Sequence, residues 1–125
     1  MSACAIALVL AAAACTSDLL LAARELEIGP SPAQPGDTVT FVFQLTVIPA
    51  QSYTVIVLID GTEHLRVTRV EAVNGPFESK LGDAADLIAR YGVGTHTGDI
   101  EVRLNERSRI ARTASREFVL EAAAL

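Results

Sequence analysis

Beyond residue 15 the sequence contains no cysteine; its two, Cys4 and Cys15, both stand in the first fifteen positions. That excludes a structural disulfide within the body of the protein, a thiolate nucleophile and a cysteine-ligated metal. Basic residues are missing from the start, where the first charged side chain is Asp18. No uninterrupted apolar run reaches the roughly 20 residues that a bilayer-spanning helix needs. The run that opens the chain, if stretched to Ala23, would carry Thr16, Ser17 and Asp18 near its middle, and a central Asp costs about 2.5 to 3.5 kcal/mol on insertion scales. There is no internal repeat. The net charge of -5 argues against nucleic acid as the main partner.

What the N-terminal run does fit is a targeting signal. Ala3 to Ala14 is uncharged and alanine-rich, its length falls within the roughly 7 to 15 residues of a signal-peptide apolar region, and Ala12-Ala13-Ala14 offer the small side chains a signal peptidase accepts. With Cys15 directly after them, the segment resembles a bacterial lipoprotein signal. That resemblance implies that Cys15 is acylated and becomes the first residue of the mature chain. Two positions depart from the pattern: Ala12 stands where such signals usually carry Leu, and Lys or Arg is missing at the start. The expected organisation is a signal peptide over 1–14, a short tether over 15–24 and a single domain over 25–125. The alternative is plain secretion with cleavage near Ala14. Removing residues 1–14 leaves 111 residues, enough for one core without covalent staples.

From Glu25 onward the hydrophobic period is 2. In Thr38 to Val47, residues Val39, Phe41, Phe43, Leu45 and Val47 share one face, opposite mainly polar neighbours. The preceding stretch from Gly29 to Asp37 holds three prolines and two glycines and reads as a rigid loop. Tyr53 to Ile59 and Glu63 to Val70 flank Asp60-Gly61, the dipeptide suited to a type I′ hairpin turn. A two-residue loop sets Ile56 opposite Leu65 and Leu58 opposite Glu63, with Val55 and Val57 sharing the other face with Arg66 and His64. Tyr53, Val55 and Val57 then form either part of a covered central strand or an apolar docking face.

After the break at Asn74-Gly75-Pro76 the period changes. Ala84, Leu87, Ile88 and Tyr91 stand at i, i+3, i+4 and i+7, with Asp83 as N-cap and Gly92 as stop, which predicts a two-turn helix crossing between sheets. Ile100, Val102 and Leu104 alternate with Asp99, Glu101 and Arg103 in another half-buried strand. Arg112 to Glu121 completes the set, with Ala114, Phe118 and Leu120 on one parity and Arg116 awkwardly among them unless a bulge intervenes. About seven strands with one short helix predict an all-β, immunoglobulin-like antiparallel sandwich. The order Pro-Ser-Pro, Pro-Gly-Asp-Thr-Val-Thr-Phe, Val-Leu-Ile-Asp-Gly and Gly-Thr-His-Thr-Gly-Asp-Ile-Glu-Val-Arg-Leu resembles the bacterial cell-adhesion-related (CARDB-type) immunoglobulin-like domains over Glu25 to Glu121. The resemblance implies an extracytoplasmic binding or adhesion module and brings no catalytic residues with it.

The chemistry-bearing residues form no catalytic constellation. His64 and His96 lie far apart in sequence, neither has a second ligand at metal spacing, and no Gly-x-Ser-x-Gly elbow occurs. Calcium would require the fold to gather Asp60, Asp99 and Glu101, and no EF-hand spacing is present, so no metal or other cofactor is assigned. Between Arg103 and Arg116 five arginines (Arg103, Arg107, Arg109, Arg112, Arg116) face one acid, Glu106. They read either as a solvated, aggregation-resistant edge or as a binding patch for an acidic protein, lipid headgroups or an anionic glycan. The sequence as a whole points to a non-enzymatic, extracytoplasmic module tethered to its membrane through Cys15, with an envelope protein or glycan as partner. Intact-mass spectrometry of the cell-associated protein is expected to show a mature chain beginning at Cys15 with a diacylglycerol adduct; an unmodified N terminus would rule out the anchor.

Overall fold

The structure, a computed structural model, describes residues 20–69, 74–104 and 109–123. The expected signal peptide, Cys15 and Arg107 lie outside the described residues. Eight strands and one helix follow in chain order: β1 (Leu20–Gly29), β2 (Thr38–Ile48), β3 (Tyr53–Ile59), β4 (Thr62–Arg69), β5 (Gly75–Asp83), α1 (Ala84–Tyr91), β6 (Gly94–Leu104), β7 (Ile110–Arg112) and β8 (Arg116–Leu120). One sheet has the order β1-β2-β5; the other runs β4-β3-β6, with β7 and β8 both on β6. Every strand pairing is antiparallel. The inward faces of both sheets share one core, and the architecture is the expected immunoglobulin-like sandwich.

β2 obeys its alternation: Val39, Phe41, Phe43, Leu45 and Val47 are all buried. Across the ladder Phe43 meets Phe77 of β5 with ring centroids 5.2 Å apart, an aromatic cross-strand pair of the kind that pins register. The hairpin turn is also as its sequence requires, with Asp60 at φ 52° and Gly61 at φ 83°, the two positive values of a type I′ turn. α1 leaves the first sheet at Asp83 and delivers the chain to β6 in the second, so it does cross between them. Its Leu87 packs 3.3 Å from where a Cβ on Gly82 would sit, so glycine there lets the helix close on β5.

Several expectations are corrected. The tether expected over 15–24 is β-strand from Leu20 onward: Leu20 to Arg24 pair with Gln44 to Ile48. A bulge at Glu25, with φ 61°, then changes parity, so that Ala23 and Leu26 are both buried although three residues apart. A second bulge alters the hairpin. Leu58 opposes Glu63 as expected, but His64 is an extra residue, and beyond it Val57 opposes Leu65 and Ile56 opposes Arg66. The one-residue slip moves Leu65 and Val67 to the core side, where both pack against the core beside Val55 and Val57.

The faces of β3 therefore settle. Tyr53, Val55 and Val57 are at most 2% exposed and belong to the core, not to a docking surface. At the C-terminal end, the expected bulge lies at Thr113 to Ser115, where three residues oppose Ile100 and Asp99 and divide the last strand into β7 and β8. Thr113 compensates for the gap: its backbone N–H donates to the Ile100 carbonyl and its Oγ1 accepts the Ile100 N–H at 3.0 Å. The bulge returns Phe118 and Leu120 to the core but leaves Ala114 exposed, contrary to its expected place beside them.

The assignment of β3 can be checked by mutation. Val55→Asp is expected to abolish cooperative thermal unfolding, because an unpaired carboxylate in the core costs several kcal/mol out of a total of about 5 to 15. Thr68→Asp, at an exposed position of β4, is expected to melt within a few degrees of the wild type. Equal melting of the two variants would contradict the register described.

Candidate functional site

Two constellations stand out, and neither is readable from a local motif. The first sits where α1 meets the tip of the β3–β4 hairpin. His96, on β6, is buried, with Nδ1 2.7 Å from Asp60 Oδ2 and Nε2 2.8 Å from the Gly92 carbonyl. Both partners are pure acceptors, so only the doubly protonated ring satisfies both. Burial alone would lower the imidazole pKa, but the Asp60 hydrogen bond and charge and the Gly92 carbonyl outweigh it and raise it. Asp60 is pulled the other way: the Thr97 N–H, donating to Oδ1 at 2.9 Å, and His96 hold its carboxyl below the usual range.

His64, the bulge residue, completes the cluster. Its Nε2 lies 2.8 Å from the Leu81 carbonyl and its Nδ1 2.7 Å from the Tyr91 hydroxyl, so the tautomer with its proton on Nε2 donates to Leu81 and accepts from Tyr91. Tyr91 stands between the two histidines, with ring centroids 5.5 Å from His64 and 6.1 Å from His96. Burial raises its hydroxyl pKa. His64 and His96, read as unrelated in sequence, are thus brought to one place by the helix between them. All four ring nitrogens are engaged with internal partners. The arrangement works as a clasp tying α1, the β5 end and the hairpin tip together.

The second constellation lies on the outer face of the larger sheet. Glu101 sits on the solvent side of β6 as its parity demands, yet its side chain is only 5% exposed. Arg103 bonds its Oε1 and Arg112 Nη2 lies 2.7 Å from Oε2, so the carboxylate is clamped from two strands. Ile56, its cross-strand partner, faces outward too and is 2% exposed; Arg66 flanks it from β4 and is itself paired with Glu63. Long side chains form the covering layer here.

The arginines expected as a patch are accordingly divided. Arg103 and Arg112 converge on Glu101, Arg116 reaches across the sandwich to Glu27 of β1 at 2.9 Å, and Arg109 is exposed beside β7. The three carboxylates considered for calcium are not brought together as a set: Asp60 serves His96, Glu101 serves the arginines, and no group of three or more metal-binding side chains occurs among the described residues.

No family model matches the chain, and no curated protein matches it in sequence. Among solved structures it is similar to the CARDB domain of a protein from Pyrococcus furiosus, crystallised in complex with di-metal ions, at a TM-score of 0.57 and 12% identity over 86% of this chain and 97% of that one. The two share the immunoglobulin-like fold.

The clasp has a defined pH dependence. His96, with its folded pKa raised, contributes stability that is fully present below the unfolded imidazole value of about 6.5 and is lost as pH rises through the folded value. Asp60, with its folded pKa lowered, contributes stability present above about 3.9 and lost as pH falls through the folded value. The stability gap between the wild type and His96→Gln is therefore expected to be widest near pH 5 and to narrow above pH 7, read by urea denaturation. Asp60→Asn is expected to cost on the order of 1 to 2 kcal/mol at pH 5, the modest end for charge-assisted bonds because Asp60 is half exposed.

Proposed function

We propose that this chain is a non-enzymatic binding module of the bacterial envelope, exported and held at its membrane through an acylated Cys15, and presenting the far end of its sandwich to an envelope protein or glycan. The observation that carries the reading is how the fold uses its reactive side chains. The residues with acid–base chemistry, His64, His96, Asp60 and Tyr91, are saturated by one another and by backbone carbonyls, and they brace the junction of α1 with the hairpin. Immunoglobulin-like sandwiches hold rigid strand ends and loops out to partners, and the CARDB likeness in fold supports that use.

The N-terminal sequence supplies the orientation. With β1 beginning at Leu20, four residues separate the first strand from Cys15, and the five steps from Cys15 to Leu20 span at most about 18 Å. The end carrying the hairpin tip, α1 and the proline-rich loop is then directed away from the membrane. A photo-crosslinking amino acid in place of Asp86, exposed in the first turn of α1, is expected to give a discrete adduct with an envelope component in intact cells. Recovery of the chain from the culture medium, with no adduct, would overturn the proposal.

A further inference from the structure

Charge in this molecule is sorted along the strands. The lower end is the one formed by the starts of β1, β3, β5 and β7 and the ends of β2, β4 and β6, which the 49–52 connection and the strand pairings place together. Below the level of Phe43 in one sheet and including the Ile56 row in the other, the described residues hold six arginines (Arg24, Arg66, Arg69, Arg103, Arg109, Arg112) and one acid, the clamped Glu101. The upper part holds eleven carboxylates against Lys80, Arg90 and Arg116.

The exposed apolar side chains follow the same division. Of the four large ones among the described residues, Leu20, Ile48 and Ile110 belong to the lower end and only Val93 to the upper. Leu20 and Ile48 are direct cross-strand partners, 55% and 46% exposed. Ile110 opens β7, which packs against β1 across the sandwich. Exposed isoleucine and leucine amid arginines, at the end where the chain enters from Cys15, is the composition of a surface that rests in a headgroup layer.

We infer that this lower end is a membrane foot: Leu20, Ile48 and Ile110 meet the bilayer interface, and the surrounding arginines meet anionic lipid headgroups. The inference rests on the acylated Cys15 of the proposed function, which confines Leu20 to within about 18 Å of the lipid. Distances decide which charges matter. The eleven residues of β2 span about 36 Å, whereas surface potential decays over a Debye length of about 8 Å, so the carboxylates of the far end are screened from that surface. Only Glu25 and Glu63, beside Arg24 and Arg66 at the boundary, stand near the basic set. The foot holds the sandwich upright and keeps its acidic end clear of a like-charged surface.

The body has no cysteine of its own, so single thiols can be placed at will. Ile48→Cys and Thr62→Cys, at opposite ends, are labelled with a fluorophore in the full, lipid-bearing chain reconstituted into phosphatidylcholine vesicles with phosphatidylglycerol and a doxyl-lipid quencher. The label at position 48 is expected to be quenched and that at 62 not. Arg69→Ser and Arg109→Ser are each expected to lower the ratio of docked to undocked protein roughly fivefold, from about 1 kcal/mol per basic residue, and phosphatidylcholine alone to weaken docking similarly. Intact mass of the same sample reports the Cys15 adduct, and melting curves of both arginine variants report their folding. An adduct with equal quenching at both positions overturns the foot and leaves the anchor standing. An unmodified Cys15 overturns the anchored reading, and the foot with it. Quenching at 48 indifferent to phosphatidylglycerol and to both arginine variants overturns the headgroup contact. Crosslinking from position 48 to an acidic protein in cells, without lipid quenching, overturns the foot in favour of a protein interface.

Discussion

Strand register governs what every side chain in this sandwich can do, because residues alternate between faces and a slip of one position exchanges the buried set for the exposed set. One single-residue insertion lies at Leu81 in β5, and three more set the register of the apolar residues: at Glu25 in β1, at His64 in β4 and at Thr113 to Ser115 between β7 and β8. Each of these three corrects a strand whose apolar residues would otherwise split between faces. Glu25 lets Ala23 and Leu26 both point inward, His64 turns Leu65 and Val67 toward Val55 and Val57, and the third returns Phe118 and Leu120 to the core. Without them the two sheets would offer mismatched faces and could not share one interior.

How far the fold could be read from sequence follows the same division. β2 is regular from end to end, so its five core residues were legible from alternation alone, and Asp60-Gly61 specified its turn because few other dipeptides accept two positive φ angles. The bulges were harder, since an inserted residue breaks the period that would reveal it. β1 was hidden for a second reason: Leu20 to Ala23 continues the apolar, alanine-rich character of the opening sequence, and the pairing that makes it a strand is with Gln44 to Ile48, more than twenty residues on. Of the candidate site, His64 and His96 carried no local signal, as the helix that unites them around Tyr91 is a property of the connection. The outer face misled differently. The parity of Glu101 was right, but its solvent access depended on Arg103 and Arg112 folding over it.

That covering layer is not a large source of net stability. Desolvating the Glu101 carboxylate offsets much of its attraction to Arg103 and Arg112, whose side chains stay half or more exposed, and a well-packed apolar substitute often does as well. What the clamp does is fix positions. With Glu101 held between β6 and β7, and Arg66 held by Glu63 on β4, the outer face becomes a set of placed charges over Ile56 in place of a mobile fringe. The His96–Asp60 pair has the same character at the other end, where it spends a buried imidazolium to keep a hairpin tip against a helix terminus.

These local pairings leave the long-range distribution untouched, and the two scales answer different questions. Short ion pairs neutralise charge within about one strand spacing and so determine the shape of a face; they do not alter the total carried by each end of the molecule. A field reaching a neighbouring surface depends on that total within roughly a Debye length. In a sandwich the strand axis is the longest direction available, and sorting charge along it separates two surfaces by more than that length. One end can then be attracted to a layer that repels the other without either end interfering with the core between them. Register decides which side chains face inward; the placement of charge along the strands decides how the two ends of the module differ.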